Sequence, residues 1–174
     1  MKRPKFSQAD GERASDEWGC NCGPGAIAAI MLLTLDEVRP HMGDFERKRY
    51  TNPTLMFETL DRLRAAGVCR SWRVGPKLWP AYGLVRIQWE GPWMEPGVPM
   101  RARYRHTHWV GAATVNDRIG VFDINALNNG SGWSRVEDWS TILVPWLIKE
   151  CVPRGNGKWQ ITHAIDVVLP EGAS

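Results

Sequence analysis

A cysteine placed where an apolar helix begins is the first feature of this chain that could do chemistry. Residues 18–33 read Trp-Gly-Cys-Asn-Cys-Gly-Pro-Gly-Ala-Ile-Ala-Ala-Ile-Met-Leu-Leu, a small-residue turn running into a helix-forming apolar stretch. Cys22 falls at or just before the first helical turn, where backbone N–H groups lack intrahelical partners and the helix dipole presents partial positive charge. A thiol there has its thiolate favoured, as a cysteine nucleophile requires. Gly23 and Gly25 let backbone or substrate approach closely, and Pro24 suits a helix opening because its missing N–H costs nothing there. No polar side chain occurs between Ala26 and Leu33. The expectation is a buried core helix with a reactive group on its tip.

A nucleophile of this kind needs a base, and the base an orienting partner. His106-Thr107-His108-Trp109-Val110 stands at the head of an expected strand over 104–115, and Asp123-Ile124-Asn125 at the end of the next, 119–124. Asn116-Asp117 between them is a hairpin turn signal. Centred on that turn, residue 108 pairs near 124 and 125, so a histidine and a carboxylate or amide come within hydrogen-bond reach. The acid then fixes the imidazole tautomer and stabilises the imidazolium. His106 and His108 share a strand face, so periodicity leaves both open as the base. Asp123 and Asn125 are likewise both open as the orienting group. Cys20 precedes the helix start and reads as a packing residue or secondary thiol. Cys69, Cys151 and His163 read as structural.

The elements that must position these residues follow from the same text. Residues 1–17 read as an irregular arm, with one domain over 18–174. Thr34 to Glu37 is a capping box for a short second helix closed by Pro40 and Gly43, and 44–50 is a charged connection. Asn52-Pro53 opens a third helix with Leu55/Met56 and Leu60/Leu63 on one face and Gly67 past its end. From residue 68 the period changes to two, giving strands over 68–74 and 83–89, with Val85, Ile87 and Trp89 on one face. Residues 90–100 form a loop, 125–132 another, and Ser134 to Glu137 reads as a further capping box. Pro145 divides the next stretch into two helical segments. Trp159, Ile161, His163, Ile165 and Val167 alternate as a closing strand. Helices first and an antiparallel sheet after them predict an α+β domain with the helices at one side of the sheet.

Composition bounds the function. A chain of 174 residues, 43% apolar and 24% charged, is long enough for a sizeable core. A net charge of +3 with scattered basic residues argues against a nucleic-acid partner. No apolar run approaches the roughly 20 residues that span a bilayer. The charged N-terminal stretch has no segment of signal-peptide type, which predicts a cytoplasmic protein with no membrane partner. Four cysteines in a reducing compartment do not make a disulfide framework, and no His or Cys spacing completes a zinc site. Neither a metal nor an organic cofactor is implied. Ten tryptophans belong in the core or in a groove wall.

The order of these motifs resembles the papain-like cysteine peptidase superfamily, most closely the bacterial branch of bacteriocin-leader, or double-glycine, processing peptidases. The resemblance rests on Cys22-Gly23-Pro24-Gly25-Ala26, His108-Trp109-Val110 and Asp123, and covers residues 18–125. It implies a papain-like fold and a Cys22–His108–Asp123 triad, with His106 and Asn125 as second candidates. The activity implied is hydrolysis of a peptide, isopeptide or side-chain amide in a peptide or protein substrate. That superfamily carries a Gln shortly before the nucleophile as oxyanion donor, where this protein has Ser15, Asp16 and Glu17. Asn21 and Gln8, and after them the Trp18 indole, are the donors that the sequence offers instead. Two other readings share the pattern: a non-catalytic papain-like binding or phage virion-associated module, and transglutaminase- or deamidase-like modification of a host protein. The style of sequence suits a bacterial or phage-encoded protein, acting in the bacterial cytoplasm, the host cytoplasm or the virion.

Overall fold

The computed structural model describes residues 1–103 and 106–172. It opens with a helix, α1 (Gln8–Trp18), in place of the expected irregular arm. Ser7 and Asp10 cap it reciprocally, the Ser7 N–H donating to the Asp10 carboxylate at 2.8 Å and the Asp10 N–H to the Ser7 hydroxyl at 3.3 Å. Its buried stripe is Gly11, Ala14 and Trp18, spaced three and four apart. Only one of these is large and apolar, so hydrophobic periodicity passes over the helix. Trp18 packs edge-on against Phe45 at 5.5 Å between rings, which ties the arm into the core.

Helix α2 (Cys22–Met31) has Cys22 as its first residue, and every residue from Gly23 to Met31 is buried. The Thr34 capping box starts α3 (Leu35–Val38) as expected. The connection over 44–50 contains a helical turn, α4 (Phe45–Lys48), because Phe45 is buried and pulls it inward. Asn52 caps α5 (Pro53–Ala65), its side chain accepting from the Leu55 N–H at 2.8 Å.

The second half builds β1 (Ser71–Val74), β2 (Tyr82–Trp89), the turn α6 (Met100–Arg103), β3 (Thr107–Val115), β4 (Arg118–Phe122) and β5 (Trp133–Arg135). The helical pieces α7 (Val136–Asp138) and α8 (Val144–Cys151) and the strand β6 (Trp159–Val168) complete it. All pairings are antiparallel, in the order β1-β6-β2-β3-β4-β5. Tyr104 and Arg105, expected to open β3, lie outside the described residues. Asn116 and Asp117 make the β3–β4 turn with φ of 49° and 59°, the left-handed pair that a two-residue hairpin requires.

Helices cover both faces of this sheet, and the expectation of a one-sided arrangement is corrected. Leu84, Trp109, Phe122, Ile165 and Val167 pack with the N-terminal helices. Val85, Ile87, Val110 and Val121 pack with Trp139, Val144 and Leu147 of the C-terminal helical run. Ser134 is part of β5 and is not the cap of α7, whose N-cap residue is Arg135 and makes no side-chain cap hydrogen bond. The run from Val136 to Cys151 is helical throughout, with a wider π turn at Trp139–Leu143 leading into Pro145. Pro145 falls in the first turn of α8, where no N–H is required of it, so it does not break the run.

A bulge in β6 also changes the sequence reading. Arg86 pairs with His163 but Ile87 pairs with Ile161, leaving Thr162 as the extra residue. Trp159 and Ile161 therefore join the core with Trp139, while Ile165 and Val167 join the core on the other face. A single clean alternation in sequence serves both faces.

The tip of α2 is closely fitted. A Cβ on Gly23 would lie 2.3 Å from the Thr51 hydroxyl and 2.6 Å from the Thr51 Cβ, whereas one on Gly25 would meet chiefly the flexible end of Ile124 at 2.5 Å. Gly23→Ala is expected to cost ~1–3 kcal/mol as overpacking against a stiff β-branched side chain, and Gly25→Ala less. Denaturant midpoints of the two variants check the order.

Candidate active site

The ladder between β3 and its neighbours explains where the Cys22 thiol sits. The Trp89 N–H donates to the His106 carbonyl at 2.9 Å, so 89 and 106 are a hydrogen-bonded pair and, by alternation, Arg86 and Trp109 are not. The main-chain groups of Trp109 therefore point away from β2, toward the side of β4. There β4 pairs only as far as Gly111 with Phe122. Beyond that point the Cys22 sulfur takes the place of a strand and accepts the Trp109 N–H. A helix tip is thereby docked into the end of a sheet ladder.

The early end of β4 also turns Asp123 inward. Asp123 has no solvent exposure and accepts four hydrogen bonds. One Oδ2 partner is His108 Nε2 at 2.8 Å and the other the Trp139 indole N–H at 2.9 Å. Its Oδ1 takes the Asn125 backbone N–H and side-chain amide, both at 3.0 Å. With Nε2 turned to Asp123, Nδ1 is the ring nitrogen that meets Cys22, with which His108 also hydrogen-bonds. Cys22, His108 and Asp123 are thus brought together in one series of contacts. Trp89 stacks on His108 with rings 6.2 Å apart, and Trp139 and Trp159 continue the aromatic wall behind it.

Electrostatics follow from this geometry. Burial alone would raise the Cys22 thiol, but the hydrogen bond and charge of His108 and the Trp109 N–H outweigh it and hold Cys22 below the ordinary thiol value. Burial would likewise lower His108, but Asp123 and the Cys22 thiolate hold it well above the ordinary imidazole value. Asp123 is pulled down against its own burial by His108, Trp139 and Asn125. Cys20 goes the other way, pushed up to about 12 by burial, the neighbouring Cys22 and Glu46. The thiolate–imidazolium state is favoured at Cys22 and not at Cys20.

The other sequence candidates take different roles. Asn125 holds Asp123 and not the histidine. His106 lies with His108, Trp89 and Asn125 on a second cavity of about 230 Å³, its ring 3.9 Å from that of Trp93. Neither proposed amide donor reaches the thiol. The Asn21 amide turns back to the Gly11 carbonyl at 3.0 Å, stitching α2 to α1, and the Gln8 amide bonds Glu12 at 2.7 Å on the surface. The Trp18 indole is buried in the core with no hydrogen-bond partner among the described residues. Because Asn21 makes no side-chain cap, the Cys22 and Gly23 N–H groups are the donors at the tip of α2.

A cavity of about 1000 Å³ opens on Cys22, between the segment from Arg49 to Pro53 and a sheet face carrying Arg86, Thr107, Gln160 and His163. Sequence reasoning missed Trp139 as the partner of Asp123 and Arg86 as part of the cavity. Trp139 carried no motif, and Arg86 lies inside an apolar strand, where its buried charge is itself a signal. Among the described residues, no group of three or more His, Cys, Asp or Glu side chains is gathered as metal ligands would be. None of the described helices is long and apolar enough to cross a membrane. No family model, curated protein or solved structure matches this sequence.

Two expectations follow from these contacts. Cys22 alkylation should persist below the ordinary thiol range of ~8.5, over the window above the lowered Cys22 pKa and below the raised His108 pKa. Asp123→Asn removes the charge that holds the proton on His108, and the alkylation rate near about pH 6.5 should fall by about tenfold or more, one pKa unit being ~1.4 kcal/mol. Stopped-flow labelling across pH measures both. Asn21→Ala should leave that pH profile in place and cost ~1 kcal/mol of stability, the size of one lost hydrogen bond. A collapse of the labelling rate in Asn21→Ala with its fold intact would return Asn21 to the site.

Proposed function

We propose that this protein is a cysteine-dependent hydrolase of papain-like type, cleaving a peptide, isopeptide or side-chain amide bond. The observation that carries the reading is the relay from the half-buried Cys22 through the buried His108 to the buried Asp123, with the thiol depressed and the imidazole elevated. Supporting it are the sequence order Cys, His, Asp and the position of Cys22 at the first residue of an apolar helix in front of an antiparallel sheet.

In this mechanism the Cys22 thiolate attacks the carbonyl carbon, and the carbonyl oxygen takes up the negative charge. The backbone N–H groups of Cys22 and Gly23 are the donors nearest that oxygen, replacing the side-chain amide of the resembling family. His108 gives its proton to the leaving nitrogen, the C–N bond breaks, and an acyl thioester remains on Cys22. His108 then takes a proton from water, whose oxygen attacks the thioester and releases the acid and the Cys22 thiolate. Asp123 keeps the imidazole oriented throughout.

The test is turnover of activated thioester, ester and amide acyl donors, with the acyl-enzyme trapped by mass spectrometry. The unaltered protein should form an adduct of acyl mass on Cys22. Cys22→Ala should abolish turnover and His108→Ala should lower it by about 10³-fold or more, since the members of a nucleophile–base pair act as a unit. Turnover retained in folded Cys22→Ala, or no adduct with any donor, would defeat the proposal.

A further inference from the structure

We infer that the cavity in front of Cys22 is a carboxylate-binding subsite centred on Arg86, so that the substrate is an amide carrying an anionic group beside the bond to be cleaved. The inference rests on the reading of Cys22 as nucleophile and adds the substrate's charge. Arg86 stands opposite Trp109 in the β2–β3 register, one strand from the backbone N–H that holds the Cys22 sulfur. Paired residues of neighbouring strands share a face, with Cα atoms ~4.5 Å apart at a non-hydrogen-bonded position. Arg86 therefore projects onto the same face as Trp109, and both line the cavity with Cys22.

Arg86 is only 5% exposed, and its guanidinium donates, among its contacts, to the hydroxyls of Thr107 at 3.2 Å and Thr162 at 3.3 Å. Placing a guanidinium in a sheet interior is costly, and a fixed, planar fork is what bidentate recognition of a carboxylate requires. The bulge at Thr162 belongs to the same construction. It supplies the hydroxyl that holds Arg86, and it brings Gln160, Thr162 and His163 of one strand onto the cavity wall.

The charge of the cavity is one-sided. Arg49, Lys77 and Arg86 line it with His163, and no Asp or Glu is among its described lining residues. His163 reports the same field: burial first, then the charges of Arg86 and Lys77, lower its pKa. A concave site of one sign with low-dielectric walls concentrates oppositely charged ligands. The source of the carboxylate is either a peptide's C-terminal group or an acidic side group, and the shared chemistry is the anion.

Iodoacetate and iodoacetamide, which differ in a carboxylate against an amide, test this on the intact protein with no substrate known. The rate of Cys22 alkylation by iodoacetate divided by that by iodoacetamide should exceed the same ratio for N-acetylcysteine by about tenfold or more. Arg86→Gln should bring the ratio back toward that of the free thiol. Lys77→Gln, at an exposed position on the rim, and raised salt should each lower it a few-fold, which keeps the test decisive where Arg86→Gln fails to fold. N-acetylglycine and N-acetylaspartate α-amide, as main-chain and side-chain carboxylates, should differ in protecting Cys22 from iodoacetamide, and the better protector identifies the source. Fast iodoacetamide labelling with a ratio equal to that of N-acetylcysteine would overturn the subsite and leave the nucleophile standing. Slow labelling of Cys22 by both reagents would remove the nucleophile reading and the subsite with it.

Discussion

A carboxylate with no access to water must be surrounded by donors and by a positive charge, or it does not stay ionised. Asp123 meets that constraint with four hydrogen bonds, and the rest of the site can be traced from its partners. Asn125 is available because β4 has ended and the backbone has turned into a tight 3₁₀ run. Trp139 is available because the C-terminal helical run lies across the sheet face opposite α2. His108 is the positive partner, and its charge in turn favours the thiolate of Cys22. A single buried anion thus links the two faces of the sheet and the nucleophile.

The second constraint is the ladder of β3. Its N-terminal end is paired on one side by β2, while β4 stops before reaching it. A buried main-chain N–H that β4 does not reach must be satisfied, and the Cys22 sulfur does so. Two requirements, pairing the backbone of Trp109 and charging the thiol, are met by one contact. It also explains the crowding at Gly23, where the tip of α2 presses against Thr51 so closely that no side chain fits. The Trp109 indole strengthens the same corner by donating to the Thr51 carbonyl at 2.7 Å.

The sheet separates two environments. Behind His108 and Asp123 is an aromatic wall of Trp89, Trp139 and Trp159. In front of Cys22 is an open cavity with basic walls. The proposed hydrolase would hold its proton relay in the first and receive its substrate in the second. The bulge in β6 serves this division by sending Trp159 and Ile161 to one side and His163 to the other.

The local signals were legible without a structure. The start of α2 at Cys22, the Asn52 cap, the Thr34 capping box and the Asn116-Asp117 hairpin are decided within a few residues of backbone, and so each was readable. The hairpin placed His106 and His108 near Asp123 and Asn125, because an antiparallel register is set by its turn, but which of them bond was not decided by the register. Helix α1 was not readable, since its buried face is made of glycine and alanine as much as of tryptophan. The amides of Asn21 and Gln8 could not be aimed from sequence: each is nearer to Cys22 along the sequence than Trp139 is, yet both point elsewhere. What joins Trp139 to Asp123, Arg86 to the cavity and the Cys22 sulfur to the Trp109 N–H is the layering of two helical groups on opposite faces of one sheet. Local chemistry determined which residues could react; long-range packing decided which of them meet, because the partner of a residue is fixed by the element across from it and not by its neighbours in sequence.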